Sequence, residues 1–286
     1  MYKIVRKEEL NSDVFRMSIE APFIAKKGLP GQFIMFRVDE FGERVPLTIA
    51  GTDVEEGTVD IIFQIVGKGT RTLSLKNEGD KILDFVGPLG KPSELEGYNK
   101  VCVIGGGVGT AIAYPTAVAL HDLDTEVDVI MGFRNKDLVI LEEQFKSASD
   151  NCYIMTDDGS YGESGFVTVK LQELIDEGTD YDLIIAIGPV PMMKAVVNIG
   201  KKHNIKTQVS LNPIMVDGTG MCGCCRVIVD GELKFACVDG PDFDGYDVDF
   251  EDLMLRNNTY YEQEQAMDHE CKTELAIAAT KAEEQE

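Results

Sequence analysis

The chain has 286 residues, of which 44% are hydrophobic, enough for two or three domains with buried cores. Its 50 acidic against 27 basic residues leave a net charge of −23, which argues against a nucleic-acid partner because phosphates would be repelled. No apolar run approaches the ~20 residues that a membrane helix needs. Seven cysteines without even pairing, behind a charged N-terminus (Met1 to Lys7) unlike an export signal, lead to the expectation of a reducing cytoplasm.

Residues 1–97 read as short strands separated by turn signals. The candidates are residues 2–7, 13–20, 33–38, 45–50, 58–66 and 81–86, punctuated by Pro30-Gly31, Glu56-Gly57, Glu78-Gly79 and Pro88-Leu89-Gly90. Short strands at this spacing predict a small antiparallel barrel. One helix is expected at residues 70–76 with Thr70 as its N-cap. Two stretches could carry chemistry. Arg44-Val45-Pro46-Leu47-Thr48-Ile49 brings an arginine and a hydroxyl to one strand, and Gly67-Lys68-Gly69-Thr70 leads into a helix N-terminus, where free amides suit a pyrophosphate.

From residue 98 to 208 apolar strands alternate with helices, the pattern of a parallel, doubly wound α/β sheet. Strands are expected at 101–104, 126–131, 152–155 and 182–187, and helices at 110–121 (with Pro115 inside), 139–148, 168–176 and 191–203. The first strand runs straight into Gly105-Gly106-Gly107-Val108-Gly109-Thr110, where a dinucleotide phosphate would sit. This run is not G-x-G-x-x-G, and the second strand runs into Gly132-Phe133-Arg134 with no acidic residue cleanly at its end, which argues against a plain Rossmann dehydrogenase. Gly188-Pro189-Val190-Pro191-Met192 and Asp157-Asp158-Gly159 follow later strand ends and would share the same sheet edge. Cys102 and Cys152 are expected in the core.

Residues 209–286 hold the cysteine motif. Cys222 and Cys225 supply C-x2-C and Cys237 follows after eleven residues, close to the plant-type 2Fe-2S pattern. That pattern places a cysteine at position 217, where this chain has Asp217; a carboxylate also binds iron, so Asp217, Cys222, Cys225 and Cys237 are four candidate anionic ligands. A zinc site of Cys222, Cys224, Cys225 and Cys237 is the competing reading, with unusual spacing. A hairpin of residues 226–229 and 233–236 around Asp230-Gly231 would bring Cys225 and Cys237 together. Residues 239–286 carry 15 acidic and 3 basic residues, a net of −12, and end in an acidic helical tail that would repel an acidic redox carrier. The chain lacks H-E-x-x-H, G-x-S-x-G and P-loop motifs, which leaves no hydrolytic machinery.

The ordered set of these motifs, together with Thr156 to Gly162 and Cys237-Val238-Asp239-Gly240-Pro241, resembles the ferredoxin–NADP reductase superfamily. Within it the likeness is to the electron-transfer subunits of dihydroorotate dehydrogenases. It is also to the small subunits of electron-bifurcating NADH-dependent reduced ferredoxin:NADP+ oxidoreductases, also called sulfide dehydrogenase subunits. The resemblance implies a flavin-binding barrel over residues 1–97, an NAD(H)-binding α/β domain over 98–208, and a 2Fe-2S domain with its tail over 209–286. It implies FAD held by Arg44, Pro46, Leu47, Thr48, Phe63, Gln64, Gly67, Gly69 and Thr70. NAD(H) would lie over Gly106, Gly107, Val108, Gly109, Thr110, Arg134, Asp157, Asp158, Gly188, Pro189 and Met192. The superfamily's Arg-x-Tyr-Ser/Thr motif departs here, since Arg44 stands four residues before Thr48 and Leu47 replaces the aromatic ring.

The resemblance further implies a heterodimer in which FAD exchanges hydride with NAD(H) and the cluster passes single electrons to a larger, glutamate-synthase-small-subunit-like flavoprotein. That partner would handle NADPH and ferredoxin, with ferredoxin reached only indirectly. Asp217 resembles the bifurcating branch, where the dihydroorotate branch has cysteine. Arg134 would suit a 2′-phosphate whereas Asp157 and Asp158 would repel one; the resemblance implies NAD(H). Three rivals remain: the electron-transfer subunit of an NAD-dependent dihydroorotate dehydrogenase, a self-contained flavin reductase, and a zinc-containing nucleotide-sensing module.

Overall fold

The structure, a computed structural model, describes residues 1–283, with side chains to Thr273; the last three residues of the expected tail lie outside the described residues. The first part holds β1 (Tyr2–Asn11), β2 (Val14–Glu20), α1 (Pro22–Ala25), β3 (Phe33–Arg37), β4 (Val45–Asp53), β5 (Thr58–Gln64), α2 (Lys68–Ser74), β6 (Lys81–Ile82) and β7 (Asp84–Leu89). The strands pair antiparallel in the order β6-β1-β2-β5-β4-β3-β7. Leu83 alone separates β6 from β7, and its amide bonds to Arg37 O at 3.0 Å, so the two edges meet and the sheet is a nearly closed barrel. Alternating residues such as Met17, Ile19, Ile61 and Phe63 fill its interior. Thr70 is not the N-cap of α2. The helix starts one turn earlier from Gly67, whose extended backbone fits the cap, and the Thr70 hydroxyl reaches back to accept from the amides of Val66 and Gly67 at 3.0 and 3.3 Å.

The second part runs β8 (Lys100–Gly106), α3 (Gly109–Asp122), β9 (Glu126–Phe133), α4 (Glu142–Ser147), β10 (Asn151–Thr156), β11 (Glu163–Ser164), α5 (Val167–Asp176), β12 (Leu183–Ile187), α6 (Val190–His203) and β13 (Thr207–Ser210). The helix expected at 139–148 is shorter than that. A 3-10 turn occupies Lys136–Leu138, and Leu141 at φ 59° breaks the helical run before Glu142. The third part is the hairpin β14 (Arg226–Val229) and β15 (Glu232–Phe235), then α7 (Ala236–Asp239), β16 (Asp242–Asp244), α8 (Phe250–Asn257) and α9 (Tyr261–Glu283).

The second sheet has the order β11-β10-β9-β8-β12-β13-β16, parallel throughout except for β16. The order reverses between β8 and β12, so the crevice of this doubly wound sheet opens at the carboxyl ends of those two strands. β16 runs antiparallel along β13, with Asp242 opposite Ser210, and so hangs the cysteine segment on the edge of the α/β sheet. Apolar residues on both faces of the sheet form two separate cores. At the far end α9 returns to the barrel, where Asp268 accepts from Nη2 of Arg71 in α2 at 2.9 Å.

Candidate functional site

A cleft of about 880 Å³ opens between β4 and β5 of the barrel and the carboxyl edge of the parallel sheet. Pro46, Leu47, Thr48, Phe63, Gln64 and Thr70 line it from the barrel. Gly106, Gly107, Val108, Gly109, Arg134, Asp157, Gly188, Pro189 and Met192 line it from the sheet. The walls are close-fitted at two glycines: a Cβ on Gly106 would meet Met192 Sδ at 2.4 Å, and one on Gly109 would meet Ile187 O at 2.5 Å. Gly107 differs, since its φ is +56° and a Cβ there would meet nothing within 4 Å. The first turn of α3 follows at once, so the positive end of a 14-residue helix faces this open space, the arrangement that suits a dinucleotide diphosphate.

Five of the expected residues stand back from the cleft wall. Gly67 caps α2, and Gly69 packs near Val45. Thr110 is fully buried in α3 with a hydroxyl that has no partner, and Asp158 closes its own turn by accepting from Ser160 N at 2.9 Å. The fifth is Arg44, whose Nη2 donates to the carbonyl of Asp217 at 3.1 Å. The cleft also has walls that the sequence did not disclose: Phe33, Phe166 and the segment Ser210, Leu211, Asn212, Pro213 and Met215, with Pro241. The Asn212-Pro213 turn signal was the one available hint of that segment.

The hairpin delivers Cys225 and Cys237 to one place, where both are buried and their Sγ atoms stand 3.1 Å apart. Its turn residues Asp230 and Gly231 have φ of 53° and 70°, as a two-residue turn of this hand requires. Cys222 is exposed on the preceding loop, where Gly218, Gly220 and Gly223 all take positive φ, between 69° and 87°. That backbone turns its amides toward sulfur. The Cys224 amide above all, with the Asp217 amide, holds the Cys222 thiol below its ordinary pKa. Burial first, then the Cys225 thiol, pushes Cys237 up to about 12, while the Gly220 amide works in the opposite direction. The Asp217 carboxylate accepts from the Thr219 hydroxyl and amide, which hold it below the usual carboxylate range.

Among the described residues no three His, Cys, Asp or Glu side chains stand in metal-ligating geometry. The structure thus joins Cys225 to Cys237 and keeps Cys222 and Asp217 on the adjoining loop. Three thiols, one carboxylate and amides aimed at two of the sulfurs nonetheless fit an iron–sulfur cluster in their donor chemistry. Phe33 and Met35 of β3 share one buried cluster with Met215, Cys225 and Cys237. Phe33 and Met215 also line the cleft, so the cleft and the cluster around the cysteine pair share these side chains.

A nearly closed barrel facing a doubly wound sheet across one cleft, with a cysteine hairpin on the sheet edge, defines an oxidoreductase subunit of the ferredoxin-reductase fold. Residues 212–249 match the family of the iron–sulfur cluster binding domain of dihydroorotate dehydrogenase B. The chain is 48% identical over 262 residues to a dihydroorotate dehydrogenase B (NAD(+)) electron transfer subunit homolog of Thermotoga maritima, covering 92% of each chain. It is 34% identical to the dihydroorotate dehydrogenase B (NAD(+)) electron transfer subunit of Fusobacterium nucleatum, covering 85% of this chain and 95% of that one. A solved chain of an NADH-dependent reduced ferredoxin-NADP oxidoreductase, studied for flavin-based electron bifurcation, superposes with a TM-score of 0.90 at 46% identity, over 96% of this chain and 98% of that one. The chain belongs to the family of dihydroorotate dehydrogenase B-type electron-transfer subunits.

Proposed function

We propose that the chain is the electron-transfer subunit of a flavin-based, bifurcating transhydrogenase, taking electrons from NAD(H) and passing them singly to a larger flavoprotein that handles NADPH and ferredoxin. The observation that carries this is the layer of Phe33 and Met215, shared by the cleft and the buried Cys225–Cys237 pair. When bound, FAD would convert the two-electron chemistry of nicotinamide into the one-electron chemistry of a 2Fe-2S cluster.

The chain's own residues have separable tasks. Pro46, Leu47, Thr48, Phe63 and Gln64 would hold the flavin against β4 and β5, with Thr70 at its diphosphate and Gly67 and Gly69 shaping the turn behind it. Gly106 to Gly109 and the first turn of α3 would seat the nicotinamide dinucleotide's diphosphate, with Thr110 buried behind them, and Gly188, Pro189 and Met192 would close the opposite wall. Asp157, exposed on the cleft rim, would repel a 2′-phosphate and favour NAD(H) over the pull of Arg134; Asp158 adds to that charge from outside the wall. Asp217, Cys222, Cys225 and Cys237 would ligate the cluster.

The match of residues 212–249 favours a second reading, the electron-transfer subunit of a dihydroorotate dehydrogenase. Purification of the native complex on a tagged chain separates the two. A co-purifying flavoprotein that oxidises NADPH is the expected result; a partner that oxidises dihydroorotate would transfer the chain to the second reading.

A further inference from the structure

Arg44 stands immediately before β4, and the next four residues of the chain all line the cleft, yet Arg44 does not. Its guanidinium turns away toward the cysteine loop, where Nη2 donates to the Asp217 carbonyl at 3.1 Å across a sequence separation of 173. Nε is buried and has no partner, and Arg44 forms no ion pair among the described residues. The charge is therefore not neutralised by a neighbouring carboxylate among the described residues. The Asp217 carbonyl is thus held to the barrel by Arg44 at the start of the cysteine loop.

We propose that Arg44 is a positioning residue for the cluster, a fixed cation that pins the Asp217 loop to the barrel and raises the potential of the cluster bound beside it. The inference rests on the iron–sulfur reading given above. Each electron that enters a site of thiolates and a carboxylate adds negative charge, and a half-buried, unpaired guanidinium stabilises that reduced state more than water would. Because β4 carries residues of the cleft on one side of Arg44 and the cluster loop takes its hydrogen bond on the other, one strand end ties the two sites together.

The test is an EPR-monitored redox titration of the cluster-loaded, full-length chain as wild type, Arg44→Gln and Arg44→Lys, with iron, acid-labile sulfide and flavin counted in each. The expected result is a cluster potential shifted to more negative values in Arg44→Gln and largely restored in Arg44→Lys. Iron content should stay near the wild-type level in the lysine variant. A potential unmoved in Arg44→Gln, with iron retained, overturns the inference, as does a shift of equal size in both variants, which would assign the effect to loop geometry and not to charge. Wild-type protein without iron or sulfide would overturn the cluster reading itself, which is a distinguishable failure.

Discussion

Three neighbouring glycines show how closely residue identity is tied to the cleft. A methyl group on Gly109 would strike the Ile187 carbonyl, which is backbone and cannot give way, so Gly109→Ala should cost about 1–3 kcal/mol of stability. Gly106 meets the flexible end of Met192 first, with the Pro189 ring at 3.1 Å behind it, and should tolerate the same change better than Gly109. Gly107→Ala has open space but a left-handed backbone, a strain of about 1 kcal/mol. Its methyl would project where the dinucleotide diphosphate is proposed to lie, so the KM for NADH should rise roughly tenfold, about 1.4 kcal/mol. Thermal melts and NADH kinetics on the alanine variants at 107 and 109 check this pair. A Gly107→Ala enzyme with wild-type KM would remove the diphosphate from this loop.

At the scale of elements, the pairing of β16 with β13 places Asp242 where three parts of the chain meet. Its carboxylate accepts from Ser93, beyond the barrel's last strand, and from Gln208 on β13 at 2.9 Å. The Lys91 amide bonds to Gly240 O at 2.7 Å beside it. Burial pushes the Asp242 pKa up, only partly offset by hydrogen bonds from Ser93, Ser210 and Gln208, and no charged group contributes. A folded-state pKa above the unfolded value gives stability that is fully present below the unfolded pKa of ~3.9 and is lost as pH rises through the folded pKa. Asp242→Asn should therefore flatten this loss, with a melting temperature above wild type at pH near 8 and a smaller gain at pH near 5, each pKa unit counting for about 1.4 kcal/mol. An asparagine variant that melts lower at both pH values would instead make the carboxylate's hydrogen bonds dominant.

The same pairing marks what the sequence could and could not disclose. β2, β5, β8 and β12 carry strong alternation or unbroken apolar runs and are readable from residue order alone. β13 and β16 are four and three residues long, rich in polar groups, and become strands only through each other and β12. The break at Leu141 depends on one residue's left-handed backbone, for which leucine gives no signal.

At the scale of the whole molecule, the glycine loops and the cysteine spacing announced themselves because their chemistry demands particular residue types at fixed intervals. The wall from Ser210 to Met215 did not, since ordinary side chains acquire a role there only when the third part of the chain folds back on the sheet edge. Arg44 was legible as a functional arginine, while the direction of its guanidinium toward Asp217 depends on packing between residues 173 apart. Phe33 and Met215, shared by the cleft and the cysteine cluster, carry the link on which the proposed electron route depends. An anaerobic reductive titration of the purified chain, with NADH and then dithionite, followed by absorbance and low-temperature EPR, tests the route most directly. Flavin bands should bleach with NADH, and a paramagnetic 2Fe-2S signal should appear on full reduction and vanish in Cys225→Ser. A colourless protein, or one whose fully reduced form gives no cluster signal, would contradict it.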